Sequence, residues 1–134
     1  MLKIAKPFLF CLLFIFSFAV ATGQTTAQDT TRGPEIYFKN IVHDYGIIKK
    51  GDDGNCEFTF TNTGNDTLEL HKVKSSCGCT IPSWSDEPVP PGGSGIIKVV
   101  YDTKKVGAIY KTISVMSDAK TNPVILTITG TVIE

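Results

Sequence analysis

Apolar residues in this chain fall mostly on every second position. In "NCEFTFTN", residues 55 to 62, Cys56, Phe58 and Phe60 share one parity, and Glu57, Thr59 and Thr61 share the other. Such alternation marks a strand with one buried face and one wet face. "EIYFKNIVHDYG" opens the same way, with Ile36 and Phe38 set against Tyr37. "TLELHKV" places Leu68 and Leu70 together but Val73 on the other parity, which predicts a bulge or bend near His71 and Lys72. "IIKVVYD" (96 to 102), "YKTISVMSD" (110 to 118) and "PVILTITGTVIE" (123 to 134) complete the series, with Val124, Leu126, Ile128 and Val132 lining one face of the last. "NTGND" at 62 to 66 reads as a turn. "IPSWSDEPVPPGGSG" carries so many prolines and glycines that it reads as a long crossing loop. No window of helical period lasts beyond a turn or two. About seven short strands between turn signals, over roughly 100 residues, predict an all-β fold. The expectation is a single immunoglobulin-like antiparallel β-sandwich. The inter-sheet disulfide and core tryptophan of antibody domains are missing, since the sole tryptophan, Trp84, falls in the Pro-rich stretch.

The N-terminus changes the picture of where this fold resides. Lys3 and Lys6 precede an apolar run from Phe8 to Val20, and Ala19-Val20-Ala21 follows as an A-x-A site. This is the layout of a signal peptide over residues 1 to 21, and the run is short for a membrane span. Cleavage is expected before Thr22, with a second acceptable site before Gln24. Cys11 lies too near Lys6 and too early in the apolar run to favour a lipid anchor. Residues 22 to 34 ("TGQTTAQDTTRGP") form a polar leader without apolar period, and the sandwich is expected over 35 to 134. The expected location is therefore outside the cytoplasm, periplasmic or at the cell surface or secreted. The membrane is met only transiently, through the signal peptide.

Removing the two leader lysines from 13 basic residues leaves 11 against 13 acidic ones. That balance, with no basic patch, argues against nucleic acid as a partner. The chain has no Gly-x-Ser-x-Gly elbow and no phosphate-cradling glycine loop. Asp52 and Asp53 beside Gly54 read as a turn, and Asp44, Asp86 and Glu87 as loop acids. His43 and His71 are the only imidazoles, and no second Cys pair completes a four-ligand metal set. No cofactor and no metal site is expected. The reading is a non-enzymatic binding or structural module that meets an unidentified protein or envelope partner through end loops or an exposed strand edge. Trp84 and Thr80 are the candidate partner contacts. A subunit of a larger envelope assembly is an alternative form of the same reading.

Several segments resemble the bacterial domain-of-unknown-function 1573 family. They are "HDYGII" (43 to 48), "FTFTNTGNDTLEL" (58 to 70), "VKSSCGCTIPSWSDEPVPPGGSGIIKVVYDT" (73 to 103), "YKTISVMSD" and "NPVILTITGTV" (122 to 132). The Ser-Cys-Gly-Cys-Thr box before a Trp-containing, Pro-rich stretch is the specific part. The resemblance implies an exported immunoglobulin-like sandwich of a kind common in Bacteroidetes, related to major-sperm-protein and Hydin-type modules, which are mostly binding and scaffolding units. It implies no established activity. Cys56 lies outside the family pattern.

The remaining chemistry is in the cysteines. Cys56 opens one strand, and Cys77-Gly78-Cys79 follows the strand after it, in the opposite sheet of a sandwich. All three should therefore gather at one end. Four arrangements fit. Cys77 and Cys79 can close a disulfide across Gly78, whose freedom would help the chain bend. Cys56 can pair with Cys77 or Cys79 and staple the sheets. All three can be unpaired and pack as small apolar groups. The box can also be thiol-active, in redox exchange or soft-metal handling, which is the alternative to a binding module.

Overall fold

The computed structural model describes residues 33–134. The expected signal peptide and all but the last two residues of the leader fall outside the described residues. Eight strands follow: β1 (Ile36–Phe38), β2 (Val42–Lys49), β3 (Asn55–Asn62), β4 (Leu70–Ser75), β5 (Thr80–Trp84), β6 (Ser94–Tyr101), β7 (Gly107–Ser117) and β8 (Val124–Ile133). They form two four-stranded sheets, in the orders β1-β3-β6-β5 and β2-β8-β7-β4. The expected immunoglobulin-like sandwich is the fold found.

The alternation read in the sequence is the alternation of burial. Cys56, Phe58 and Phe60 of β3 face inward with Ile97, Val99 and Tyr101 of β6. Leu126, Ile128 and Val132 of β8 and Ile113 and Val115 of β7 face them from the other sheet. One core results, because each sheet has a single apolar face that must be covered. The bulge expected near His71 and Lys72 is present as a register shift between Leu70 and Lys72 in the β4–β7 pair. It returns Val73 to the interior.

Three features depart from the sequence reading. "EIYFKNIVHDYG" divides into β1 and β2, which belong to different sheets. The sandwich is not wholly antiparallel, since β2 runs parallel to β8. A bulge interrupts that pairing between Asp44 and Ile47, where Gly46 takes φ +66°, a left-handed conformation natural to glycine.

The third departure concerns the Pro-rich stretch, which is not a plain crossing loop. Thr80 to Trp84 forms β5, paired antiparallel with β6 in the register Thr80↔Tyr101 to Trp84↔Ile97. Pro82 within it does no harm, for a reason the ladder supplies. The Asp102 N–H donates to the Cys79 carbonyl at 2.9 Å, which makes 79 and 102 a bonded pair. Bonded pairs alternate along an antiparallel ladder. Ile81 and Ser83 therefore turn their backbone groups toward β6, whereas Thr80, Pro82 and Trp84 turn theirs toward the open edge. The N–H that Pro82 lacks is one the sheet does not use.

Candidate functional site

The chain crosses from the edge of one sheet to the edge of the other between β4 and β5. Residues 76 to 79 make that corner, and Cys77 and Cys79 are joined there by a disulfide with their Cα atoms 5.4 Å apart. Of the four arrangements the sequence allowed, the first is the one present. Cys56 is unpaired and buried. It sits on β3 opposite Val99, two residues along β6 from Tyr101, which pairs with Thr80. The cysteines thus gather at one end of the sandwich.

Hydrogen bonds hold the corner independently of the sulfur bond. The Ser76 N–H donates to the Thr112 carbonyl at 2.8 Å, and the Thr112 N–H returns a bond to the Ser76 hydroxyl at 3.2 Å. The Ser75 hydroxyl points between the carbonyls of Cys77, at 2.5 Å, and Thr80, at 2.7 Å. Asp102 fixes Cys79 from β6, as above. Gly78 does not supply the bend as expected. Its φ is not left-handed, and a Cβ placed there would meet nothing within 4 Å.

Thr80 is only 2 % exposed. A buried hydroxyl offers nothing to a docking protein, so the partner-contact role expected for Thr80 gives way to one inside the corner. Its oxygen lies 3.9 Å from Cys77 Sγ and 4.0 Å from Cys79 Sγ. Trp84, at the far end of β5, is partly buried against the core and partly lines an open concavity of about 530 Å³ with Ser83, Ile96 and Lys98. Trp84 thus packs on the core with one part and leaves another part open, where the contact role expected for it would lie. His71 is exposed on β4. Among the described residues, no three His, Cys, Asp or Glu side chains converge as metal ligands.

A second concavity, of about 460 Å³, lies beside the corner, with Gly78, Cys79, Ile81, Val100 and Tyr101 in its wall and Asp52, Asp53, Asp102 and Lys104 also bordering it. Its apolar part extends onto the outer face of the sheet. Ile81 and Val100 are cross-strand partners and are 64 % and 45 % exposed. The sequence reading left Ile81 in a loop, and only the pairing of β5 with β6 sets it beside Val100.

Cys56 is chemically quiet. Burial pushes its thiol above the ordinary value, and burial likewise raises the phenol of Tyr45, which packs against it and donates to the Gly54 carbonyl at 2.6 Å. Both groups are neutral in the fold and ionise more readily in the unfolded chain. Their contribution to stability is therefore complete below the unfolded thiol value, about pH 8.5, and is lost as pH rises. The urea midpoint is expected to be flat to about pH 8 and to fall above it. In Cys56→Ala the fall should begin only near about pH 10, where the tyrosine starts to ionise in the unfolded chain. An unchanged onset in that variant would remove Cys56 from the account.

Likeness to known proteins agrees with this architecture. No curated protein matches the chain in sequence. A protein of unknown function from Porphyromonas gingivalis shares the fold, with a TM-score of 0.66 and 16 % identity over 75 % of this chain and 48 % of that one. The present chain thus spans about half the length of that protein. The PapD-like domain 7 of human CEP192 matches with a TM-score of 0.63 and 10 % identity, covering 75 % of this chain and 86 % of that one. A Caenorhabditis elegans MSP family member, WR4, matches with a TM-score of 0.52 and 13 % identity, covering 75 % and 100 %. At these identities the likeness is one of fold. The family model for the protein of unknown function DUF1573 covers residues 36–132, so β1 through most of β8 and the whole Cys-Gly-Cys corner lie within it, and the chain belongs to that family.

Proposed function

We propose that this domain is an exported, non-enzymatic binding module that meets a protein partner in the cell envelope through the outer face of β5 and β6. The observation that carries the reading is the exposed Ile81–Val100 pair, continued by Ile96, which is 44 % exposed, and by the concavity beside Trp84. Apolar side chains that are neighbours in space and open to water gain from being covered. The edge of β5 is a poorer docking element than its face. Strand addition needs a run of free N–H and C=O groups, and Pro82 removes one N–H from that run. Export is supported by the signal-peptide pattern of residues 1 to 21.

A photo-crosslinking residue in place of Ile81 is expected to capture a discrete envelope protein in cells. The same residue at Tyr110, an equally open site on the other sheet, should not capture it. Equal capture at both positions, or none at position 81, would defeat the reading. Ile81→Asp is expected to abolish the adduct formed by a crosslinker placed at Val100, while the unfolding free energy stays within about 0.5 kcal/mol of the parent, because an exposed side chain carries little folding energy.

A further inference from the structure

We propose that Cys77 and Cys79 are a reversible thiol–disulfide couple. It is entered from outside at Cys79, with Cys77 as the sulfur that leaves as thiolate and returns. Its partners are thiols and disulfides on neutral or basic carriers.

The first observation is Thr80. Its hydroxyl is buried, and the two cysteine sulfurs are its hydrogen-bond partners. Burying a hydroxyl is costly unless it is well bonded, and a disulfide sulfur is a weak acceptor. A thiolate in the same place is a strong one. The second observation is the Cys79 N–H, which points at Cys77 Sγ at 3.3 Å. Two donors thus converge on Cys77, whereas Cys79 Sγ meets only the shared hydroxyl. The corner offers its negative-charge site to Cys77.

Both cysteines are half-buried, and Cys79 also packs against the core, but it is Cys79 that lines the 460 Å³ concavity, together with Gly78 and Tyr101, and so borders the space from which a small thiol would enter. Opening the bond also need not unfold the corner, because Ser75, Ser76 and Asp102 hold it through hydrogen bonds that do not involve sulfur.

The exchange balances as follows. A thiolate RS⁻ attacks Cys79 Sγ, forming a Cys79–SR bond and breaking the Cys77–Cys79 bond. The electron pair leaves on Cys77 Sγ, beneath the Cys79 N–H and the Thr80 O–H. A second RS⁻ attacks the R sulfur of the mixed disulfide and releases Cys79 as thiolate, and the two protein thiolates take up the two protons that the two RSH gave to water. In sum, the protein disulfide and two RSH give two protein thiols and RSSR, and the reverse reaction oxidises the pair. The rate depends on how well the departing thiolate is stabilised. Asp52, Asp53 and Asp102 outnumber Lys104 around the concavity, so a cationic thiol is drawn in and an anionic one repelled.

The test uses the full chain, oxidised, and simple monothiols. Cysteamine at millimolar concentration should open the wild-type bond, as read by alkylation and peptide mass spectrometry. In Cys77→Ser, cystamine should give a mixed disulfide at Cys79. In Cys79→Ser, the adduct on Cys77 should form several-fold more slowly when compared per thiolate, because a stabilised thiolate is the weaker nucleophile. Thr80→Val should slow reduction about tenfold, the effect of losing one hydrogen bond to a charged leaving group, and Thr80→Ser should restore it. Compared per thiolate, cysteamine should outpace 3-mercaptopropionate several-fold at low salt, with the ratio shrinking in about 0.5 M salt. A bond that resists millimolar cysteamine, adducts that form equally fast on either cysteine, or a Thr80→Val rate equal to wild type would overturn the proposal. If Thr80→Val does not fold, the two cysteine variants still decide it. The outcome is independent of the crosslinking result at position 81, because exchange needs no docked protein.

Discussion

Asn62→Ala is expected to lower the unfolding free energy by about 3–5 kcal/mol, a large part of the roughly 5–15 kcal/mol typical of a small domain. Asn62 is fully buried at the end of the sandwich opposite the disulfide corner. Its amide nitrogen donates to the carbonyls of Asp66 at 2.7 Å and Val89 at 3.0 Å. Its amide oxygen accepts from the N–H groups of Glu35 at 3.3 Å and Gly64 at 3.0 Å. One side chain thereby joins the entry to β1, the turn after β3 and the segment that bridges Leu68 to Val89. Alanine leaves these four backbone groups without that partner, and urea unfolding will read the cost. Asn62→Asp tests the chemistry separately. Its carboxylate would be buried against two carbonyls, so its pKa in the fold should rise above the unfolded value. That variant is therefore expected to gain stability as pH falls from 7 to 4 relative to wild type. A parallel pH profile for the two proteins would show that the two donated bonds are unimportant.

Gly54→Ala should be comparably severe, by roughly 3–5 kcal/mol or loss of the fold. A Cβ on Gly54 would stand 2.0 Å from the carbonyl oxygen of Tyr101 and 3.1 Å from a methyl carbon of Thr103. The obstacle is backbone, so a rotamer change cannot relieve it. The strand would have to withdraw, breaking the Tyr101 N–H bond to the Gly54 carbonyl at 2.9 Å and the Tyr45 hydroxyl bond to the same oxygen. Those bonds support β6 where Thr80 and Cys79 pair with it, so thiol exchange at Cys79 should change together with stability. By contrast, Gly46→Ala has open space for its Cβ and carries only the strain of φ +66°, about 1 kcal/mol. A Gly54→Ala protein as stable as Gly46→Ala would contradict the packing described for this end.

Much of the fold was legible in residue order because the deciding signal is local. Alternation at Cys56, Phe58 and Phe60 depends only on the pleat, and it sorted inward from outward side chains correctly. The parity break between Leu70 and Val73 located a bulge for the same reason. The gathering of the cysteines followed from the rule that successive strands in opposite sheets return to the same end. β5 was hidden because Pro82 reads as a breaker. Whether a proline breaks a strand depends on which way its nitrogen faces, and the β6 ladder sets that. Asn62 looked like one more turn residue in "NTGND". Its importance comes from Glu35 and Val89, 27 positions away on either side.

The division follows from the range of the forces involved. Sequence by itself determined that the chain is a two-sheet sandwich with its cysteines at one end, since burial of an alternating face leaves few other outcomes. Tertiary structure alone decided that Cys77 joins Cys79, that Thr80 turns inward upon them and that Ile81 lies beside Val100 in the open. The bond and the Thr80 contacts are local, but the corner that shapes them is held from Thr112 and Asp102, and Ile81 meets Val100 only through the β5–β6 pairing. A pattern within one strand carries no information about the strand that will lie next to it.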